Sequence, residues 1–291
     1  MYNAVAANKR NTILIMAIFI VIIGLIGYIF SEVYGSTGIF WGTLAGAAIY
    51  TFVQYFIAAK VALGLNGAKE IKKADNPRLY RIVENLAITE GVSMPKVYII
   101  EDPAPNAFAT GRNPEHSHVA ATSGILDLMS DRELTAVMAH EIGHVKNYDI
   151  RVMMIVFGLV SAIGLIADVF LRMMWFGGDD DTPPHPIFLV LGIVAALLAP
   201  FVAILVQAAI SRQREYLADA TGALTTRDPE ALATALEKLG ATGTALRRQN
   251  SSTAHLFFAS PLKGASLAKL FSTHPPIEER VARLRSIGSS F

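Results

Sequence analysis

Four apolar runs, each close to the length of a bilayer crossing, limit what this chain can fold into. They are Ile13 to Phe30, Ile39 to Ala59, Val152 to Met174 and Ile187 to Ile210. A helix needs about 20 apolar residues to cross a hydrocarbon core of about 30 Å. The first run follows Lys9-Arg10. It is longer than the apolar region of a cleaved secretory signal and no small-x-small site follows it, so it reads as a signal anchor. The second contains Gly42, Gly46 and Ala47, small residues that let membrane helices approach closely, so the two runs form a hairpin. The third contains Asp168, which is costly in lipid and faces a partner helix or an interface. Between the third and fourth runs, Asp179, Asp180 and Asp181 lack the spacing of an EF-hand and read as a solvated acidic loop. The chain therefore divides into a transmembrane hairpin (1–60), a polar segment (61–150), a second hairpin (151–210) and a second polar segment (211–291).

Composition agrees with this division. With 53% hydrophobic and 17% charged residues and a mean hydropathy of +0.42, the chain is too apolar for an ordinary soluble domain. It is too polar for membrane helices alone. Lys9, Arg10, Lys60, Lys69, Lys72 and Lys73 flank the membrane ends on one side. Arg151, Arg212 and Arg214 join them if all four runs cross, and the opposite loops carry only Arg172. By the positive-inside rule both termini and both polar segments face the cytoplasm. The net charge of +1 comes without a basic stripe interleaved with aromatics, so nothing points to a nucleic-acid partner and none is expected. With no cysteine, any metal must be held by histidine and carboxylate.

The first polar segment reads as a small α+β unit. Pro77 to Glu90 is amphipathic, with Asn76 as its cap. Lys96 to Ile100, Asn106 to Thr110 and His118 to Thr122 are short strand candidates, the last two joined by a turn around Gly111 to Glu115. Leu134 to Asn147 then reads LTAVMAHEIGHVKN, a helix capped by Ser130 or Asp131. Within it lies His140-Glu141-Ile142-Gly143-His144. Residues four apart share a helix face, so His140 and His144 can offer ring nitrogens to one metal ion. Glu141 sits beside them, within reach of a water activated by that ion. This is the H-E-x-x-H pattern of zinc peptidases. Two surface histidines on a polar face are the alternative, but the Ala, Val, Met and Ile flanks suit a buried helix.

A catalytic zinc takes three protein ligands and keeps one open position. After the fourth apolar run the chain reads Arg212-Gln213-Arg214-Glu215-Tyr216-Leu217-Ala218-Asp219. A helical hairpin returns this stretch to the same membrane face. The chemistry uses Glu215 as third ligand, and Asp219, one turn on, accepts a hydrogen bond from the outer nitrogen of a ligand histidine. Otherwise the stretch is an ordinary charged start to a helix below a membrane segment. His116, His118, His185 and His255 have no partners at ligand spacing.

These two motifs together resemble the HtpX family of membrane zinc metalloproteases, relatives of the CAAX prenyl proteases in the gluzincin group. Asn106-Ala107-Phe108-Ala109-Thr110-Gly111 is similar to that family's edge strand beside the cleft. Phe271-Ser272-Thr273-His274-Pro275-Pro276 is similar to its His-Pro motif, followed by a closing helix from Ile277 to Ile287. The order of the four apolar segments also matches. The resemblance implies four transmembrane helices joined to a mainly α, α+β zincin-like domain holding one Zn2+. It also implies a role in bacterial inner-membrane quality control and stress response, cutting misfolded or damaged membrane proteins at a cytoplasmic active site. Zinc activates water, Glu141 takes its proton and passes it to the leaving amine, and His274 is the candidate donor to the oxyanion. His274 has two other readings: a resting-state ligand in zinc's open position, or a structural residue at the start of the closing helix. Residues 106–110 would pair with an extended substrate as an added strand. Polypeptides and the lipid bilayer are the expected partners, and a homo-oligomer is compatible with the sequence. Two other classes are a membrane zinc carrier, for which Asp168 is the only candidate within the apolar runs, and a silent scaffold with a closed structural zinc site.

Overall fold

The computed structural model describes residues 2–176, 212–242, 246, 256–258 and 275–288. The fourth apolar run, the acidic loop, His185, His255 and His274 lie outside them.

Two long helices come first, α1 (Tyr2–Tyr34) and α2 (Thr37–Leu65), joined by a turn at Gly35. Both are long and apolar enough to cross a membrane. Their closest approach differs from the sequence expectation. A Cβ on Gly42 or Gly46 would meet nothing, whereas one on Gly27 would come within 2.7 Å of Thr43 Cβ. The contact is therefore made by α1 glycines, with Ala47 buried on the α2 side. Helix periodicity explains the difference, because Gly42 and Gly46 are four apart and share the outer face.

The polar segment forms the two helices and three strands expected, with local chemistry fixing their ends, and adds a two-residue strand and a short helix. β1 (Lys69–Glu70) is followed by α3 (Pro77–Glu90). Asn76 caps α3 by accepting from Leu79 N–H at 2.9 Å, and Gly91 ends it in the left-handed region. β2 (Lys96–Ile100), β3 (Ala107–Gly111) and β4 (Ser117–Thr122) complete a four-stranded sheet in the order β1-β2-β4-β3. β2 and β4 run parallel and the outer pairs antiparallel, so β3 is an edge strand. A short helix α4 (Ser123–Leu128) leads to α5 (Asp131–Lys146), which carries the histidine motif. Ser130 is its cap. The Ser130 hydroxyl faces Glu133 N–H while the Glu133 carboxylate accepts from Ser130 N–H, a reciprocal box that fixes where the helix starts. α6 (Asp149–Phe176) follows after one left-handed residue, Tyr148. The remaining described helices are α7 (Arg212–Thr226), α8 (Pro229–Thr242) and α9 (Ile277–Gly288).

The sheet is covered on both faces. Val97, Ala107, Ala109, Val119 and Ala121 pack toward α3, α5, α8 and α9. Ile100, Phe108 and Ala120 pack toward Ala58, Ala62 and Leu63 of α2 and Met153, Met154 and Phe157 of α6. A third apolar cluster joins α1, α2 and α6. The sheet is thus a floor between the long helices and the helical layer that bears the motif. Two-sided burial explains the near-continuous apolar reading of β3, where alternation would mark a half-exposed strand.

Candidate metal centre and active site

α5 buries its whole middle, including His140, Glu141 and His144. α7 packs across it and brings up Glu215 and Asp219, both buried. The crossing is close because of Gly222 on α7, where a Cβ would lie 3.1 Å from His140 N. A larger residue would push Glu215 away from the histidines.

Three donors converge. His140 Nε2 and His144 Nε2 are 3.1 Å apart. Glu215 Oε2 lies 3.8 Å from His140 Nε2, and Glu215 Oε1 lies 3.5 Å from His144 Nε2. With metal–donor bonds of about 2.05 Å, the edge of a tetrahedron is about 3.3 Å. The observed separations straddle that value. Two imidazole nitrogens and one carboxylate, all within 4.8 Å of one another, could hold a small divalent cation.

The outer nitrogens face carboxylates. Asp149 Oδ2 is 3.0 Å from His144 Nδ1. Asp219 Oδ1 is 2.9 Å from His140 Nδ1, near in distance but bent away from hydrogen-bond geometry. Asp219 is itself gripped by Arg280 of α9, whose Nε and Nη2 donate to its two oxygens at 2.9 and 2.7 Å. Arg280 is only 1% exposed, and its guanidinium also covers the Phe258 ring at 4.8 Å. That ring meets His140 edge to face.

Burial and charge divide the protonation states. Burial disfavours a charge on His140 and lowers its pKa to about 4, against the pull of Asp219. Burial acts the same way on His144, but Asp149, Glu215 and Glu141 outweigh it and push its pKa up to about 9. Burial, with help from Glu215, raises Glu141 to about 7, opposed by His144 and by the Ala109 N–H that the carboxylate accepts. Burial would raise Asp219 too, but Arg280 and His140 hold it far below the ordinary carboxylate range. A carboxylate poised near neutrality beside two imidazoles is the electrostatic signature of an acid–base site.

β3 runs alongside. Ala109 N–H points from its outer edge to Glu141, and the next outward carbonyl, Ala107 O, accepts from Phe258 N–H at 2.8 Å. The edge expected to receive a substrate strand thus carries one main-chain bond from the chain itself.

Residues 73–288 match Peptidase family M48. The chain belongs to peptidase family M48. The M48 chain is 53% identical over its full length to a protein named Protease HtpX homolog from Tropheryma whipplei, covering all of both chains. It is 42% identical to the Protease HtpX homolog of Streptococcus gordonii, over 99% of this chain and 100% of that one. Among solved structures, Ste24p of S. mikatae superposes with a TM-score of 0.55 at 21% identity, over 98% of this chain and 67% of that one, a likeness of fold. The M48 chain is accordingly a metalloprotease, and its family implies a metal ion for which the His140, His144 and Glu215 group is suited.

Sequence reasoning missed three residues around the M48 chain's metal group. Asp149 was visible only as the polar end of a segment, although an Asp five residues past the second histidine is within reach when the helix stops at Asn147. Arg280 lies in a closing helix with no motif of its own. Asn8 sits at the start of an apolar helix. His116 and His118 take other partners: Asn113 at 2.8 Å and the Tyr98 ring at 5.5 Å.

Proposed function

We propose that this M48 chain is a zinc endopeptidase of the bacterial cell membrane, cutting misfolded or damaged membrane proteins on the cytoplasmic side. The observation that carries the reading is the meeting of His140, His144 and Glu215 with Glu141 beside an edge strand. His140, His144 and Glu215 hold the ion. A zinc ion there supplies Lewis acidity, lowering the pKa of water and polarising a peptide carbonyl. Glu141 accepts the proton of the attacking water and delivers it to the leaving amine. Asp149 orients His144, and Asp219, 2.9 Å from His140 Nδ1, is placed to orient His140 once the ring turns into hydrogen-bond alignment, keeping each Nε2 free to ligate. Residues 106–110 receive an extended segment of substrate along the outer edge of β3, which requires Phe258 N–H to give up Ala107 O and Glu141 to give up Ala109 N–H. His274 is kept as donor to the oxyanion.

The two polar segments, 61–150 and 211–291, form one catalytic unit, and hairpins 1–60 and 151–210 anchor it by four crossings. Contacts of α7 with α5 support the first statement, since the two segments share one core. Exposed Ile13, Val21, Leu25, Trp41, Ile49 and Phe52 on α1 and α2 support the membrane assignment for the first hairpin.

The test is to purify the full chain in detergent, measure zinc per chain, and follow cleavage of casein with and without a chelator. About one zinc per chain and cleavage that stops on chelation and returns with zinc support the reading. Cleavage indifferent to chelation, or His140→Ala with full zinc and full activity, overturns it.

A further inference from the structure

We propose that Asn8, on the first membrane helix, is a positioning residue for His144, acting through Asp149. The proposal rests on the reading of His144 as a metal ligand.

Asn8 is 5% exposed at the start of a helix whose next turns are apolar. A buried amide there is unfavourable unless its donors are used. Both N–H bonds of its Nδ2 have partners: Asp149 Oδ1 at 2.7 Å and the backbone carbonyl of Asn147 at 2.8 Å. The other oxygen of Asp149 faces His144 Nδ1 at 3.0 Å. The carboxylate is therefore held at both ends. Its plane, and so the rotation of the imidazole, is set by an amide that belongs to α1. A carboxylate at Nδ1 keeps the proton on that nitrogen and leaves Nε2 as a lone pair directed at the metal group.

Neighbouring contacts hold the same three residues. Tyr148, between Asn147 and Asp149, adopts φ 62, an uncommon conformation for a bulky residue. Its ring is flanked by Lys9 Nζ at 4.5 Å and the Arg151 guanidinium at 4.9 Å. One turn of α1 thus clasps the link between α5 and α6. Among the described residues, the cation within ion-pair range of Asp149 Oδ1 is Arg214, with Nε at 3.9 Å, too far for a hydrogen bond. Without Asn8 the carboxylate could turn away from His144. The first helix would be part of the metal centre as well as an anchor.

Two variants of the full-length protein separate positioning from packing. Asn8→Asp keeps the size but presents an acceptor to two acceptors. Asn8→Leu keeps the bulk and removes polarity. Zinc dissociation constants would be measured by competition with a chromophoric chelator at fixed pH. The visible spectrum of the cobalt-substituted protein would report ligand geometry, and melting of the metal-free protein would report folding. Both variants are expected to weaken zinc about tenfold, the lower end for loss of an outer partner. They should also shift the cobalt bands, with Asn8→Asp at least as impaired as Asn8→Leu. Parental zinc affinity and an unchanged cobalt spectrum in both would overturn the proposal, as would a fall in melting temperature with unaltered affinity. His144→Ala separates the two levels. If it keeps parental zinc affinity, the ligand reading itself has failed. If it loses zinc while both Asn8 variants keep it, only the positioning role falls.

Discussion

Glu141 and Glu215 are both buried carboxylates within one ring of charge, yet their roles predict opposite zinc behaviour. Glu141→Gln removes a base and leaves the three donors in place, so it should fold, hold about one zinc, and lose roughly two to four orders of magnitude in turnover. Glu215→Gln replaces an anionic donor by a neutral amide, so zinc and activity should fall together. Zinc content and peptide cleavage on both proteins decide the matter, and reversed zinc contents would exchange the roles. Burial raises the Glu141 pKa to about 7 in the metal-free protein, and a cation bound beside it draws that value down. Only its ionised form accepts a proton, so kcat/KM of the zinc-loaded protein should rise with pH along an acid limb whose midpoint lies below about 7, and Glu141→Gln should lose that limb. An acid limb unchanged in Glu141→Gln would remove Glu141 from the base role. Arg280 is a matter of stability. Its loss strands the Asp219 carboxylate in a buried setting, and breaking such a pair costs about 3–5 kcal/mol. Arg280→Met should lower the melting temperature sharply, and adding Asp219→Asn should recover part of the loss. A single variant that melts like the parent would show that the buried pair is dispensable.

At the scale of elements, the site depends on α5 and α7 crossing at contact distance. The crossing needs a bare backbone at Gly222, facing His140 N and Cα at 3.1 and 3.3 Å if a Cβ were present. Backbone cannot give way as a side chain can. Gly222→Val should cost roughly 1–3 kcal/mol by overpacking and weaken zinc binding by shifting Glu215. Gly240→Ala is the control, because its nearest neighbour is the tip of the flexible Ile277 side chain at 3.2 Å. Equal zinc affinity in the Gly222 variant and the parent would show that α7 tolerates the displacement. The elements most legible in the sequence carry their own local instructions. α3 has Asn76, Pro77 and Gly91, and its bounds fall where the sequence places them. β2 is a β-branched run found at Lys96–Ile100 as expected. β1, two residues long, has no local signal and exists only because Lys69 and Glu70 pair with Ile99 and Tyr98. The same division runs through the site. His140, Glu141 and His144 are fixed by spacing on one helix, and Glu215 by a second motif. Asp149, Arg280 and Asn8 act across turns or long separations. Their chemistry appears only when the chain brings a carboxylate, a guanidinium or an amide against a partner chosen by packing.

For the whole molecule, the direction of the first hairpin follows from its two ends. α1 meets the link after the motif helix at Asn8, and α2 ends beneath the sheet with Ala58, Ala62 and Leu63. Both ends therefore lie on the peptidase side, with Lys9, Arg10, Lys60 and Lys69 close to them in sequence. From Asn8 to Tyr34 a helix rises roughly 39 Å, enough to pass a hydrocarbon core of about 30 Å before the turn at Gly35. Ile15 and Phe19 pack inward, but other large apolar side chains between these limits are exposed on the protein, including Ile13 at 70% and Val21 at 67%. Lipid is the solvent that such a surface fits. We propose, from the positive-inside rule, that the turn is exported and the metal centre is not. Reporter fusions test this directly. A reporter after Gly35 should read as exported and one after Phe291 as cytoplasmic. A reporter after Asp180 should read as exported if the third and fourth apolar runs both cross. A cytoplasmic reading at Asp180 with the other two as expected would leave a single membrane hairpin and reduce the four-crossing arrangement to two. An exported reading at Phe291 would invert the enzyme and put its substrates on the other side of the membrane.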